Sequence, residues 1–200
     1  MATEDIVTLE EAQRLLQLDG RVDGATLAMY ITAASMRIDA ICGPVVTNAI
    51  AGERHDGGTT AIWLKRSPLR LNPSVAEYDS TGTATYLAVE TSGVFSGDRF
   101  VCDLTTGKVT RRRDRTTVPF EGGLRNIEVA YSAGRYATTA DVDGRFKEAC
   151  MMLVQQLWRR EQSSGSVTLG MPDSTWVPSY AVPKAVLELL ADEVLPPGVA

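Results

Sequence analysis

The clearest pattern in the chain is an apolar stripe at helical spacing in its last third. Apolar residues recur at i, i+3, i+4, i+7, i+8, i+11 and i+12, which is the period of one helix face. They are Phe146, Ala149, Cys150, Leu153, Val154, Leu157 and Trp158. The spacing predicts a core helix, with Asp141 or Asp143 as N-cap and Arg159 and Arg160 at the favourable end of the helix dipole. The alternating segment 127–131 before it predicts a half-buried strand.

A capping box near the N-terminus predicts a first, short helix. The hydroxyl of Thr8 can accept a hydrogen bond from the amide of Glu11, whose carboxylate reaches back to the amide of Thr8. The predicted helix covers residues 9–18 and ends at Asp19-Gly20.

A second, longer helix is predicted from the N-cap Asp23 to Cys42, where Gly43-Pro44 ends it. Its predicted core-facing residues again recur at helical spacing. They are Leu27, Tyr30, Ile31, Ala34, Ile38 and Ile41.

Between residues 45 and 132 the pattern changes to short extended runs separated by turn residues. The predicted strands are 61–65, 75–79, 85–90, 99–104, 108–113 and 124–131. Thr105-Thr106-Gly107-Lys108 separates two of them and predicts a hairpin turn, with Gly107 at positive φ. The pattern indicates a small antiparallel β-region inserted between helical segments.

The segment 162–183 shows no periodic pattern, yet it carries Trp176 and Tyr180, large side chains that need a surface to dock on. Pro183 then opens a last helix, 183–194. Its apolar side carries Val186, Leu187, Leu190 and Val194. Because isolated helices shorter than ~12–15 residues are marginal in water, this helix needs a partner. That partner is the same chain, a neighbouring copy or another protein.

Composition narrows the possible functions. The net charge of −5 argues against general nucleic-acid binding, and no apolar run is long enough to span a membrane. Three widely spaced cysteines, Cys42, Cys102 and Cys150, indicate reduced, buried thiols. The single histidine, His55, lies in a segment that we interpret as a solvated turn. With no phosphate-binding loop, metal-ligand spacing or nucleophile elbow, we expect no catalytic site, cofactor or metal.

One charge cluster, Arg111-Arg112-Arg113-Asp114-Arg115, remains open to three interpretations. The arginines contact nucleic-acid phosphates, they lie on a solvated hairpin end, or they form salt bridges with acidic faces of neighbouring subunits. No aromatic residue is interleaved with them, so base stacking has no support.

The order of elements resembles the head–tail connector (head-completion adaptor) proteins of long-tailed bacteriophages. The start, Val7-Thr8-Leu9-Glu10-Glu11-Ala12, is similar to the opening helix of that family. The hairpin around Gly107 precedes Val129-Ala130-Tyr131-Ser132-Ala133-Gly134, which is similar to its "V-x-Y-x-A-G". The helix ending Trp158-Arg159-Arg160-Glu161 resembles its final core helix. The likeness covers residues 5–162, whereas the longer β-insert and the Trp-containing tail depart from it.

The resemblance implies an α+β protein with a core of three main helices in residues 1–162, an antiparallel β-region at 45–132 and an extended C-terminal arm at 163–200. It implies a non-enzymatic virion protein, assembled in the host cytoplasm as a homo-oligomeric ring of twelve copies. That ring lies below the portal protein, offers a platform for the next tail-side completion protein, and lets DNA pass without specific binding.

Two surfaces follow as expectations. The arm is expected to bind the portal or a neighbouring subunit through Trp176, Tyr180, Val186, Leu187, Leu190 and Val194. Contacts between subunits are expected from the charged outer faces of the helices and from the β-region, where Arg111, Arg112, Arg113 and Arg115 face a neighbour or DNA. The alternative function is a nucleic-acid-binding module that uses the same arginines.

Overall fold

The computed structural model describes residues 4–18, 24–164 and 182–194. They form two compact units, which we call the helical unit and the β-unit. The helical unit comprises the described parts of Met1–Val46 and Tyr136–Leu195, and the β-unit comprises Thr47–Arg135. The predicted α+β class is confirmed. The bounds of the helices are α1 Leu9–Leu15, α2 Gly24–Cys42, α3 Gly144–Ser164 and α4 Lys184–Leu189, with short 3-10 turns at Thr139–Asp141 and Ala191–Glu193.

The capping box of α1 forms as predicted, but the helix ends earlier than expected. The amide of Glu11 donates to the hydroxyl of Thr8 (3.1 Å), and the amide of Thr8 donates to the Glu11 carboxylate (2.8 Å). At the other end, Gln17 adopts a left-handed φ of 51°. The amides of Gln17 and Leu18 then donate to the carbonyls of Arg14 and Gln13, which is the Schellman pattern of a helix end. The predicted stop at Asp19-Gly20 lies outside the described residues.

The core of the helical unit is formed by the predicted faces of α2 and α3 together with the segment before α1. Phe146, Ala149, Cys150, Leu153 and Val154 of α3 are buried against Leu27, Ile31, Ala34 and Ile38 of α2. Of the remaining predicted core-facing residues, Tyr30, Ile41, Leu157 and Trp158 are half-buried. Asp143 precedes α3 and accepts a hydrogen bond from the amide of Arg145 (2.9 Å), which satisfies one donor at the helix start.

The β-unit contains eight strands, two more than the sequence pattern predicts. Their bounds are β1 Asn48–His55, β2 Ala61–Trp63, β3 Ser74–Tyr78, β4 Ala84–Val89, β5 Asp98–Asp103, β6 Lys108–Arg113, β7 Thr116–Thr117 and β8 Ile127–Ala133. The order across the sheet is β1-β8-β3-β4-β5-β6-β2, with β7 also paired to β6.

Two features of this sheet correct the sequence-based description. The sheet is not wholly antiparallel, because β4 and β5 pair in parallel through Ala88–Arg99 and Val89–Phe100. β1 escapes prediction because Gly52, at φ 78°, lies where the β1–β8 register shifts, and this interrupts the alternation of apolar and polar residues. The predicted hairpin turn is confirmed, with Gly107 at φ 70°.

The inner face of the sheet is apolar except for a few paired polar groups. A Cβ at Gly107 would lie 3.4–3.5 Å from side-chain atoms of Ser67, Leu64 and Leu69, so the hairpin turn packs closely onto this interior. The buried residues of the β-unit core are Ile62, Leu64, Leu69, Val75, Leu87, Phe100, Val109, Phe120, Ile127, Val129, Tyr131 and Ala133.

Candidate functional site

The arginine cluster does not form one surface, because its first member points into the β-unit. Arg111 lies opposite Phe100 in the β5–β6 ladder and is buried. Its Nε and Nη2 donate to the two carboxylate oxygens of Glu77, at 2.7 and 3.0 Å, and Nη2 also lies 3.1 Å from Asp98. Glu77 is buried as well and accepts a further bond from the amide of Glu121 at 3.2 Å. Arg111 is therefore not available to DNA or to a neighbouring subunit, which corrects its predicted role.

The other arginines are also engaged within the chain. Arg112 donates to the carboxylate of Glu90 (3.1 Å) and to the carbonyl oxygen of Arg115 (2.6 Å), while Arg113 donates to Asp98 (2.7 Å). The guanidinium of Arg115 lies 3.9 Å from the ring centroid of Phe95, an aromatic contact from the β4–β5 loop. Arg112 and Arg113 thus form salt bridges, as one of the three interpretations expects. Their acidic partners, however, belong to the same chain and not to a neighbouring subunit.

Asp98 is partly exposed and contacts both the buried Arg111 and the half-exposed Arg113. The hydrogen bond from Arg113 is the main cause that lowers the pKa of Asp98 below its ordinary value of 3.8, with a further contribution from the charge of Arg111. Asp98 therefore stays ionised around neutral pH and offsets the positive charge of Arg111 and Arg113, which lie on the same face of β6.

His55 does not lie in a solvated turn, contrary to the sequence-based interpretation. It is the last residue of β1, and its Nε2 lies 2.7 Å from the Glu53 carboxylate without hydrogen-bond geometry. The hydroxyl of Tyr131 donates to the other carboxylate oxygen of Glu53 at 2.5 Å, and the amide of Lys65 donates to Glu53 at 3.1 Å. Burial and the adjacent carboxylate raise the pKa of Tyr131. We interpret these groups as a buried polar cluster that links β1 to β8 inside the sheet.

The described part of the C-terminal arm packs on the helical unit of its own chain. Val186 and Leu190 are completely buried in the core of that unit. Arg145 of α3 also forms an ion pair with Glu193 at 3.3 Å. Helix α4 thus has its partner in the same chain, and two of the residues expected to bind a portal or neighbour are already occupied.

Of the four other residues of the predicted arm surface, two are exposed and two lie outside the described residues. Leu187 and Val194 are 43% and 48% exposed and stay available to another protein. Trp176 and Tyr180 lie outside the described residues.

The outer face of α2 carries an apolar surface that the sequence-based interpretation missed. Its exposed residues follow the spacing i, i+4, i+8, i+11 and i+15, which places them on one stripe opposite the buried face. Met29 and Met36 are 60% and 68% exposed. The composition of α2 could have indicated this surface, because the helix has 19 residues and only two of them, Arg37 and Asp39, are charged. We call the following residues the outer stripe of α2: Ala25, Met29, Ala33, Met36 and Ala40.

A cavity of mixed polar and apolar lining lies where the end of α1 meets the C-terminal half of α3. Gln17, Gln155 and Arg159 supply its polar side chains, and its volume is about 280 Å³. We call this cavity the α1–α3 groove. Its lining is Leu15, Leu16, Gln17, Leu18, Gln155, Trp158 and Arg159. The left-handed Gln17 turns the chain so that Leu18 contributes to the groove.

Potential metal ligands and thiols are scattered through the described residues. Among them, no group of three or more His, Cys, Asp or Glu side chains is arranged to hold a metal ion. Burial is the main cause that raises the pKa of the Cys102 thiol to about 11 and of the Cys150 thiol to about 12, which makes both poor nucleophiles. None of the helices in the described ranges has the length and apolar character needed to cross a bilayer.

Solved structures resemble this chain in fold. No protein-family model matches it, and no curated protein matches it. A chain from the neck of an empty gene transfer agent (GTA) particle, computed with C6 symmetry, superimposes with a TM-score of 0.58 at 17% identity. A chain from the virion of a native GTA particle gives a TM-score of 0.55 at 17% identity. Each match covers 98% of this chain and 94% of the other.

A third chain, from the neck of a native GTA particle computed with C12 symmetry, gives a TM-score of 0.51 at 16% identity and full coverage of both chains. At these identities the likeness establishes a shared fold. Two of the three similar chains come from symmetric neck assemblies.

Proposed function

We propose that this protein is a structural neck component of a phage-like particle. In this proposal twelve copies form a ring below the portal, link the DNA-filled head to the tail, and act without catalysis. The observation that carries the proposal is the fold, which matches chains of GTA particle necks over at least 98% of this sequence. The order of sequence motifs independently resembles the head–tail connectors of long-tailed phages.

The distribution of charge supports a passive role toward DNA. Arg111, Arg112 and Arg113 are paired with Glu77, Glu90 and Asp98, so their charges are largely offset within the chain. The chain as a whole carries a net charge of −5. A ring with strong phosphate contacts would slow the passage of DNA, because such contacts supply most non-specific affinity. The alternative of a nucleic-acid-binding module loses its main support for the same reason.

The attachment surface of the ring is proposed to include the exposed side of the C-terminal helix. Leu187 and Val194 are exposed on the same segment that buries Val186 and Leu190, so they can meet the portal or another neck protein while α4 stays docked. Trp176 and Tyr180 extend the same proposal along the arm. The platform for the tail-side protein would lie elsewhere on the ring.

Deletion of the gene in a particle-producing strain tests this function. We expect DNA-filled heads and separate tails to accumulate, and wild-type protein supplied in trans to restore complete particles. The double variant Leu187→Glu/Val194→Glu is expected to fold, because both side chains are exposed, and to restore fewer complete particles. If complete particles of normal activity still form after deletion, the proposed function is wrong.

A further inference from the structure

One basic surface of the β-unit is not neutralised within the chain. Residues 57–76 contain three basic side chains, Lys65, Arg66 and Arg70, and no acidic one. All three are exposed, and in the part of the chain that the structure describes none of them forms an ion pair with a carboxylate. They differ in this from the paired arginines of β6. We call residues 64–71 the basic loop.

The basic loop is held in one conformation by the rest of the β-unit. The side chains of Leu64, Ser67 and Leu69 are buried. Five backbone amides of the loop donate hydrogen bonds of 2.7–3.3 Å to groups outside it. The acceptors are the carbonyl oxygens of Leu104, Gly107 and Ser132, the carboxylate of Glu53 and the hydroxyl of Tyr131. Because the backbone is already fixed, a partner that binds the basic side chains has little loop ordering to impose.

The composition of the basic loop suits a contact with another protein. Trp63, immediately before the loop, is 53% exposed, and Leu71, at its end, is 72% exposed. Arginine and large aromatic side chains are enriched in protein interfaces, where apolar area accompanies charge. The surface therefore offers both a positive charge and apolar area to a partner.

Charge is distributed unequally between the two units of the chain. The ranges of the helical unit, 1–46 and 136–195, hold 15 acidic and 8 basic residues, a net charge of −7. The range of the β-unit, 47–135, holds 10 acidic and 12 basic residues, a net charge of +2. The helical unit of one copy therefore attracts the β-unit of another copy.

The start of α3 and the last 3-10 turn carry an acidic surface on the helical unit. Arg145 lies 3.3 Å from Asp143 and 3.3 Å from Glu193, so the two segments lie side by side. Lys147 pairs instead with Glu11 of α1, at 2.8 Å. One arginine thus offsets a group of five carboxylates, which we call the acidic patch. Its members are Asp141, Asp143, Glu148, Asp192 and Glu193.

We propose that the basic loop of one copy contacts the acidic patch of the next copy. The proposal rests on the ring proposed above and names a contact between its neighbours. Neither surface can pair with the same surface of another copy, because like charges would then face each other. The contact is therefore heterologous, and such a contact repeats from copy to copy and can close into a ring. DNA is a poorer occupant, because the charge of the helical unit repels phosphates while it attracts the loop.

The exposure of these charges predicts how the contact behaves. Exposed ion pairs are screened by solvent and salt, so each one contributes little to affinity. Two isolated copies are therefore held weakly by this contact alone. In a closed ring every copy makes the contact twice, so the ring is favoured where copies are gathered at the neck.

A zero-length cross-linker tests the contact in assembled particles. A carbodiimide joins a lysine amine directly to an adjacent carboxylate, so it can link Lys65 to the acidic patch of a neighbouring copy. We expect cross-linked multimers on a denaturing gel, with peptides that contain Lys65 joined to peptides that contain Glu148 or Asp192. Lys65→Arg is the matched control, because it keeps the charge and removes the amine. This variant should enter particles normally and give no multimers, and undiminished multimers would overturn the contact.

Charge reversal gives a second readout. Lys65→Glu/Arg66→Glu should lower the number of copies in the particle at least ~10-fold, because it places like charges opposite each other. Asp141→Lys/Asp192→Lys should have the same effect, whereas both reversals in one chain should restore incorporation. Arg125→Glu is the control, since Arg125 is an exposed arginine of the β-unit outside the basic loop. All five side chains are exposed, so the purified variants should keep the circular dichroism spectrum of wild type.

The outcomes separate this inference from the proposed function. If Lys65→Glu/Arg66→Glu enters the neck as well as wild type, the contact is wrong and the function stands. If incorporation is lost and Asp141→Lys/Asp192→Lys does not restore it, or if Lys65 cross-links to a different particle protein, the contact is overturned in favour of another partner. Salt-sensitive binding of a labelled duplex that Lys65→Glu/Arg66→Glu abolishes would overturn it in favour of DNA. Absence of the protein from the neck would overturn both.

Discussion

The guanidinium of Arg111 is held by the Glu77 carboxylate through two hydrogen bonds, of 2.7 and 3.0 Å, inside the β-unit. Both side chains are buried, so each requires the other to offset the cost of leaving water. The pair turns the first residue of an apparent basic patch into part of the core, and it explains why the cluster does not form a phosphate-binding surface.

Replacement of Arg111 by alanine should destabilise the protein by about 3–5 kcal/mol, because it leaves Glu77 as an uncompensated buried charge. Urea unfolding followed by circular dichroism measures the change. Arg113→Ala is the matched control and should cost clearly less, because that side chain is half exposed and solvent screens its ion pair with Asp98. The double variant Glu77→Met/Arg111→Met should recover part of the loss, and equal effects of Arg111→Ala and Arg113→Ala would contradict the account.

The purified protein should not bind DNA in a salt-dependent manner. A protein that contacts several phosphates loses affinity steeply as salt rises, whereas these arginines are already engaged. Fluorescence anisotropy with a labelled duplex, from low to physiological salt, should give flat curves. Arg113→Ala/Arg115→Ala should behave like wild type, and a salt-sensitive affinity that this variant abolishes would revive the nucleic-acid alternative.

Asp98 should contribute to stability at neutral pH and lose that contribution in acid. Its pKa in the folded protein lies below the unfolded value of 3.8, mainly because Arg113 donates a hydrogen bond to it. The stabilisation is therefore present above about pH 4 and is lost as the pH falls through the folded pKa. Asp98→Asn should lower the free energy of unfolding at pH 7 and flatten its decline in acid.

Chemical denaturation at several pH values between about 7 and 3 measures this effect. Asp192→Asn, at an exposed position of the last 3-10 turn, is the control and should leave the profile unchanged. An Asp98→Asn profile parallel to that of wild type would show that the contact with Arg113 does not affect folding.

Leu190 should matter for folding, whereas Leu187 should matter for attachment. Leu190→Ala removes a completely buried side chain from the helical unit and should cost about 2–5 kcal/mol. Leu187→Ala removes a side chain that is 43% exposed, so thermal unfolding should change little while particle completion decreases. If Leu190→Ala unfolds like wild type, α4 is not docked as described.

The helices could be predicted well from the sequence where local signals and burial agree. The stripe from Phe146 to Val154 is buried as expected, because one face of a long helix must cover the core. The predicted end of α1 was wrong because Gln17 takes a left-handed conformation that its residue type does not indicate. Strand β1 was missed because Gly52 and the paired Glu53 disturb its alternation.

The surfaces were predicted less well, because they depend on contacts between distant segments. Arg111 and Glu77 are 34 residues apart, and no local pattern indicates that they meet. Burial of Val186 and Leu190 depends on packing against the helical unit, which the amphipathic pattern of α4 allows but does not specify. The outer stripe of α2 was visible as a lack of charge, yet only the structure shows that its two methionines are exposed.

Imaging of particles at the head–tail junction tests the central claim most directly. Cryo-electron microscopy of complete particles, and of particles produced without this gene, should locate the protein. The account predicts a closed ring of twelve copies between portal and tail, with the helical unit and β-unit folded as described, and no such ring after deletion. A neck without this protein, or unchanged neck density after deletion, would contradict it.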